Sequence, residues 1–88
     1  MPLNVNDFNV TDRHPAGMLK GVSHAFEKEC NLVIMLNRAI EAGDIHAVIE
    51  MKHDHPTMVS DGLIECVGEK KYKLTTKSIG LLYGEYAK

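Results

Sequence analysis

Two short runs on either side of Gly68 constrain the fold of this chain more than any other feature. Residues 63–67 (LIECV) and residues 71–75 (KYKLT) flank a three-residue connection that begins with this glycine. A short glycine-containing connection between two such runs is typical of a β-hairpin. Because strand side chains alternate between faces, Lys71 and Lys73 are expected on one face and the apolar side chains between them on the other. The sequence therefore predicts an antiparallel strand pair with a basic tip.

A helical pattern occupies the region before the hairpin. It predicts α-helix from Met18 onward, because apolar residues recur there at the spacings of three and four that place them on one helix face. This region forms either one helix or two, and in the second case we expect the break at Glu29-Cys30-Asn31. The apolar positions are Leu19, Val22, Phe26, Cys30, Val33, Leu36 and Ile40.

A further helix is expected between this region and the hairpin. Gly43 is suited to a left-handed C-cap and Asp44 to an N-cap, so together they close one helix and open the next. The new helix is predicted to begin at Ile45 and to end near His53, because Pro56 disfavours helix in the residue before it. Residues 56–62 are expected to form a turn or a short helical piece.

A last helix is predicted after the hairpin, capped by Thr75 or Thr76. Its apolar face consists of Ile79, Leu82, Tyr83 and Tyr86. The predicted fold is therefore α+β and mostly helical, with three helices, a two-stranded hairpin and a C-terminal helix. Residues 18–88 would form this single domain, and residues 1–17 an N-terminal arm or a short strand.

The distribution of charge limits the classes of function. The chain has 88 residues and a net charge of −2. Residues 1–67 carry −5, whereas residues 68–88 carry +3, and four of the ten basic residues fall between Lys70 and Lys77. A non-specific nucleic-acid binder usually has a strong overall positive charge. Any contact with nucleic acid is therefore expected to be local.

The two cysteines and the hydropathy pattern favour a cytoplasmic protein. Cys30 and Cys66 lie at wide spacing within apolar runs, which predicts buried, reduced thiols and no disulfide. The polar N-terminus lacks the apolar segment of a signal peptide. The longest unbroken apolar run, residues 32–36, is too short to span a bilayer, so no membrane partner is expected.

The sequence motifs of the hairpin resemble those of bacterial winged helix-turn-helix regulators. The stretch "DGLIE" (61–65), a short basic turn, and "KYKLTTK" (71–77) leading into an apolar helix stand in the same order as in that family. There "GLI" starts the first wing strand and "Y-x-LT-x-K-G" ends the second; Ser78 stands here where the family usually has the glycine. The resemblance covers residues 30–88 and implies a winged-helix fold.

The resemblance also implies a function and a set of contacts. The wing would touch DNA phosphates through Lys70, Lys71 and Lys73, and a groove helix drawn from residues 44–60 would offer Lys52, Thr57 and Ser60 to base edges. The protein would then be a small transcriptional regulator that binds double-stranded DNA, bacterial or phage-type, with no cofactor.

A second class of function competes with this one. The −5 charge of residues 1–67 repels phosphate and attracts basic partners. In addition, Glu50, Asp54 and Asp61 stand where a groove helix normally carries base-reading residues. The alternative is a winged-helix-like adaptor or inhibitor, such as a phage-type modulator of a host protein, with little or no DNA binding.

The last helix is a candidate contact surface for a homodimer or another partner. Gly80 and Gly84 lie one turn apart, and each costs about 1 kcal/mol relative to alanine, which suggests close approach of another backbone. Fraying of the terminal helix is the alternative explanation. Leu81 and Tyr86 give this helix more apolar surface than one face needs, which favours association.

Metal and enzyme chemistry receive little support from the sequence. His46, Glu50 and His53 would share a face of the predicted helix, and such donors suit zinc. This is part of a ligand set without a known motif, and an ordinary exposed polar face is the simpler interpretation. No cysteine–histidine pair is accompanied by a glycine loop that could form an oxyanion site. We therefore expect no metal, no cofactor and no enzymatic activity.

Overall fold

The computed structural model describes residues 4–8 and 14–87. The described residues form an α+β fold with three α-helices and one three-stranded antiparallel sheet. A short 3-10 helix, Val5–Asp7, precedes them. The helices are α1 (Ala25–Ala42), α2 (Pro56–Ser60) and α3 (Thr76–Tyr86), and the strands are β1 (Ile49–Glu50), β2 (Ile64–Gly68) and β3 (Lys71–Leu74).

The predicted hairpin is confirmed. Strands β2 and β3 pair antiparallel, with Cys66 opposite Tyr72, and a bulge follows where Gly68 faces Lys71. The turn is completed by Lys70, whose φ of 56° lies in the left-handed region that such tight connections require. Tyr72 is buried and Lys71 is exposed, so the predicted alternation of faces is also confirmed.

Helix α1 differs from its prediction at its start. Residues 18–24 are not helical, because Gly21 and His24 have left-handed backbone conformations, with φ of 71° and 54°. Of the two alternatives for the middle of α1, the single helix is confirmed and the break at residues 29–31 is wrong, since the helix runs through them without interruption. The polar side chains there do not need solvent, because Lys28 and Glu29 are buried with partners from other segments.

The helix predicted from Ile45 to His53 is also wrong. Gly43 ends α1 with a left-handed φ of 74°, as predicted. The side chain of Asp44 then accepts a hydrogen bond from the backbone N–H of His46 at 2.9 Å, which closes a turn and caps no helix. Strand β1 follows, with Ile49 opposite Tyr72. β-Branched residues fit such a half-buried strand, and the sheet bonds replace the helical ones.

A third strand therefore joins the hairpin, in the order β1-β3-β2. The inner face of the sheet packs against α1, and the core lies between them. Fully buried side chains from all parts of the fold meet there: Leu32, Met35, Leu36, Met58, Leu63, Ile64 and Leu82. The prediction that both cysteines are buried is wrong, since Cys66 is exposed and Cys30 is half-buried.

The structure describes residues 4–8 and 14–17 of the N-terminal segment. Residues 4–8 contain the 3-10 helix and no strand, and Phe8 is buried in the core. Residues 1–3 and 9–13, which also belong to the predicted arm or short strand, lie outside the described residues. No helix in the described ranges is long and apolar enough to cross a membrane.

Helix α3 begins as predicted, with Thr75 as its N-cap. The Thr75 side chain accepts a hydrogen bond from the backbone N–H of Ser78, whose hydroxyl accepts one from the backbone N–H of Thr75. The Thr75 hydroxyl also donates to the Gly62 carbonyl at 2.6 Å. Ile79 and Leu82 are buried as predicted, whereas Tyr83 is 40% exposed.

Replacing Thr75 with alanine is expected to lower the free energy of unfolding by about 1 kcal/mol, the usual cost of losing an N-cap. Urea denaturation followed by circular dichroism measures this change. Thr75→Ser keeps the hydroxyl and should remain within about 0.5 kcal/mol of the wild-type protein. Equal stability of the alanine and serine variants would show that the cap does not stabilise the helix.

Candidate nucleic-acid interface

The end of β1 is tied to the tip of the hairpin. The backbone N–H of Met51 donates a hydrogen bond of 2.8 Å to the carbonyl of Lys70. Lys52 is therefore adjacent in the chain to a residue bonded to the hairpin turn. We call Lys52, Lys70 and Lys71, whose backbone segments this bond connects, the basic edge. All three residues are exposed.

The basic edge is not neutralised by ion pairs within the described part of the chain. Neither Lys52, Lys70 nor Lys71 has an ion-pair partner there. Two carboxylates do lie nearby, because Glu50 is opposite Lys71 in the sheet and Glu69 belongs to the hairpin turn. An open cleft of about 470 Å³ runs between the end of β1 and the turn and contains residues from both. The lysine side chains of the basic edge are therefore positively charged, but the carboxylates of Glu50 and Glu69 lie beside them.

The other lysines of the hairpin region already have partners. Lys73 is half-buried, and its Nζ lies 3.5 Å from an oxygen of Glu65 on the neighbouring strand. Lys77 donates a hydrogen bond of 2.8 Å from its Nζ to the carbonyl of Asp61. Of the four lysines from Lys70 to Lys77, only Lys70 and Lys71 have ammonium groups without a partner among the described residues. Lys73 is therefore the weakest of the three predicted wing contacts.

The predicted groove helix is much shorter than expected. Helix α2 has five residues, which corresponds to about 7.5 Å at 1.5 Å per residue. Thr57 and Ser60 lie on it and are exposed, whereas Lys52 lies in the bend after β1. Helix α2 is the only helix in the fully described segment between β1 and β2. Lys52 therefore does not lie on the predicted groove helix.

The proposed histidine face does not exist as a helix face. His46 lies in the turn after α1, Glu50 in β1 and His53 in the following bend. The spacing argument for His46, Glu50 and His53 is therefore wrong, because it assumed a helix. In residues 4–8 and 14–87, no three His, Cys, Asp or Glu side chains are placed to hold a metal ion.

The predicted contact residues of α3 are divided between surface and core. Gly80 and Gly84 are exposed, and a Cβ at either position would meet no neighbouring atom of the described chain within 4 Å. Leu81 is half-buried. Tyr86 is buried, and its hydroxyl donates to the carbonyl of His14. Tyr86 therefore packs in the core of its own chain. The two glycines leave one side of α3 exposed and accessible to a partner.

A second groove, which the sequence analysis did not predict, lies beside the basic edge. It has a volume of about 260 Å³ and is bounded by α1 and the segment that follows β1. We call it the α1 groove, and its main lining side chains are Ile34, Arg38, Met51, Lys52, His53 and His55. A weak sequence signal existed, since Ile34 and Arg38 are one turn apart on α1. Their partners are contributed by an unpredicted strand and bend.

The α1 groove contains one histidine with a perturbed acidity. The backbone N–H of His55 donates a hydrogen bond of 3.0 Å to the Tyr72 hydroxyl, and the two rings meet edge-on at 5.9 Å. Burial lowers the pKa of His55, and repulsion by His53 lowers it further, whereas Asp54 acts in the opposite direction. His55 therefore takes up its proton at a lower pH than an ordinary histidine.

Comparison with known proteins found no matching family, no matching curated protein and no matching solved structure.

Proposed function

We propose that the protein is a small DNA-binding regulator of the winged-helix class, whose basic edge grips phosphate groups of double-stranded DNA. The single observation that carries this proposal is the backbone bond between Met51 and Lys70, which holds the residue before Lys52 against the turn that carries the tip lysines. The α+β fold with its hairpin is compatible with a winged helix. Lysines that contact phosphate contribute affinity without reading sequence.

The short α2 supports binding dominated by the DNA backbone. A helix of about 7.5 Å carries few side chains into a major groove. Thr57 and Ser60 are the exposed hydrogen-bonding residues on it. We therefore propose weak, salt-sensitive affinity with low sequence specificity, and a homodimer that adds contacts through the open side of α3.

Replacing Lys70 and Lys71 with alanine tests the proposal. Loss of two phosphate contacts should weaken the affinity for DNA by about tenfold to a hundredfold near 0.1 M salt. The slope of log K against log salt should become shallower by about two. Fluorescence anisotropy of a short labelled duplex, titrated from about 0.05 to 0.2 M salt, measures both quantities.

A variant with the same change of net charge supplies the control. Lys20→Ala with Lys77→Ala removes two lysines that line a different groove of the protein. If the basic edge binds DNA, this control should keep most of the affinity. Equal losses in the two double variants would mean that only overall charge matters, and an unaffected Lys70/Lys71 variant would refute the proposed contact. Lys73→Ala should have a smaller effect than either tip lysine, because Glu65 already pairs with it.

A protein-binding adaptor or inhibitor of a host protein is the second candidate. The acids that border the basic edge favour it, as do two exposed apolar residues near the hairpin, Val48 and Val67. The salt titration also separates the candidates. Absence of DNA binding even at the lowest salt concentration would favour the adaptor, whereas binding that weakens steeply with salt would favour the regulator.

A further inference from the structure

The α1 groove combines an apolar base with a cationic rim. Ile34 and Met51 supply apolar surface, and Arg38, Lys52 and His53 supply present or potential positive charge. No carboxylate is among the described residues that line this groove, in contrast to the cleft at the hairpin, which contains Glu50 and Glu69. Such a lining suits an anion better than any other part of the described surface near the hairpin.

Arg38 is held in place at the mouth of this groove. One of its terminal nitrogens, Nη1, donates a hydrogen bond of 2.8 Å to the carbonyl of Glu50. The guanidinium group carries five N–H donors in a planar fork, so this bond fixes its position and leaves other donors for a ligand. Arginine donors in such an arrangement match the oxygens of a phosphate group.

The α1 groove and the cleft at the hairpin tip share one wall residue. Met51 lines both the groove and the cleft at the hairpin tip. Lys52 is a member of the basic edge and also lines the groove. A nucleic-acid strand carries a phosphate about every 3.4 Å along the helix axis. A phosphate at the hairpin tip is therefore followed at short intervals along the same strand by others, which are the candidates for the groove.

We infer that the α1 groove binds a further phosphate of the same DNA strand, and that protonation of His53 and His55 strengthens this contact. The inference rests on the proposed function and adds a pH-dependent site to it. Arg38 supplies the permanent charge, and the two imidazoles supply charge only in acid. The protein would then bind DNA more tightly as the pH falls through the range in which histidines titrate.

The charged groups around the histidines determine the sign of this effect. Burial and the neighbouring His53 lower the pKa of His55, whereas Asp54 raises it. Arg38 on α1 and Lys52 in the bend are the other charged residues that line the groove. Tyr72 faces His55 from β3 through a neutral hydroxyl and ring. An entering phosphate adds negative charge and favours the protonated form. Phosphate binding is therefore coupled to proton uptake, so affinity must rise as the pH falls.

The test compares DNA affinity at about pH 7.5 and about pH 5 at one ionic strength, a range that spans the ordinary histidine pKa and extends well below it because the pKa of His55 is lowered. Wild-type protein should bind the labelled duplex about fivefold to tenfold more tightly at the lower pH, the effect of roughly one additional phosphate contact near 0.1 M salt. The variant with His53→Gln and His55→Gln should lose most of this increase.

His46→Gln is the matched control, because His46 is exposed but does not line the groove. It should retain the full increase, which excludes a general effect of net charge. Arg38→Gln should weaken binding at both pH values.

Binding that is equally pH-dependent in the double histidine variant would overturn the inference and leave the proposed function intact. The inference would also be overturned, with the proposed function intact, if His46→Gln removed as much of the pH-dependent increase as the double histidine variant does. Absence of DNA binding by the wild-type protein at every pH would overturn both. Circular dichroism at both pH values verifies that each variant is folded.

Discussion

Replacement of Glu29 with alanine is expected to lower the free energy of unfolding by about 3 kcal/mol, since hydrogen bonds to charged groups contribute roughly 1.5–3 kcal/mol each. Glu29 is 1% exposed on α1. Its carboxylate accepts hydrogen bonds from the backbone N–H groups of Ala16 and Met18, the latter at 2.9 Å. The side chain thereby holds an irregular segment, which precedes α1 by several residues, against the core.

The Tyr86 hydroxyl extends the same arrangement. It lies 3.5 Å from a Glu29 oxygen and donates to the carbonyl of His14. Burial raises the pKa of Tyr86, and the charge of Glu29 raises it further, so this phenol stays protonated and remains a donor. The loss of Glu29 therefore removes acceptors from two backbone groups and from the phenol.

Chemical denaturation measures the loss of stability, and hydrogen exchange at the Ala16 and Met18 amides shows whether it is local. Both amides should exchange faster in Glu29→Ala. Glu29→Gln keeps one acceptor oxygen and should cost about half as much. Glu41→Ala, an exposed change on the same helix, should stay within about 0.5 kcal/mol of the wild-type protein. An equally small effect of Glu29→Ala would contradict the assigned role.

A second large effect is expected at the ion pair between Lys28 and Asp61. The Nζ of Lys28 lies 2.8 Å from an Asp61 carboxylate oxygen, and the two side chains are 7% and 32% exposed. Asp61→Ala leaves a buried ammonium group without a counter-charge, which costs about 3 kcal/mol. The pair joins α1 to the end of α2, so its loss should also loosen α2.

The two partners are expected to respond unequally. Lys28→Met places an apolar chain of similar length in the buried position and leaves a carboxylate that water reaches. Such a replacement should cost about 1 kcal/mol or less. Urea denaturation of both variants at neutral pH measures the difference. Equal losses would mean that the attraction between the charges, and not the burial of Lys28, determines the effect.

The sequence alone was sufficient for the features that depend on neighbouring residues. The hairpin around Gly68, the left-handed end of α1 at Gly43 and the cap of α3 at Thr75 were all predicted and are present. Each of them depends on contacts within a few residues: a glycine or turn residue, an alternating pattern, a side chain that bonds the next turn. Local physics of this kind can be read directly from the order of residues.

The candidate site was predicted only in its hairpin part. Lys70 and Lys71 were predicted together because they are neighbours in the chain. Lys52 was placed on a helix that does not form, and Arg38 in the α1 groove was not predicted at all. Both errors concern residues that reach the site through the pairing of β1 with β3, a contact between segments about 20 residues apart in the sequence.

Tertiary structure decided between helix and strand for residues 45–53, and it decided which polar groups could be buried. A helix and a strand were both locally acceptable after Asp44, and the free edge of β3 selected the strand by offering it hydrogen bonds. The sequence placed a possible helix break at Glu29-Cys30-Asn31, next to Lys28. Lys28 and Glu29 lie in one continuous helix. They are buried because Asp61 and the segment around Ala16 and Met18 satisfy them. The energy of a buried charge depends on partners distant in the sequence, so local order could not predict either outcome.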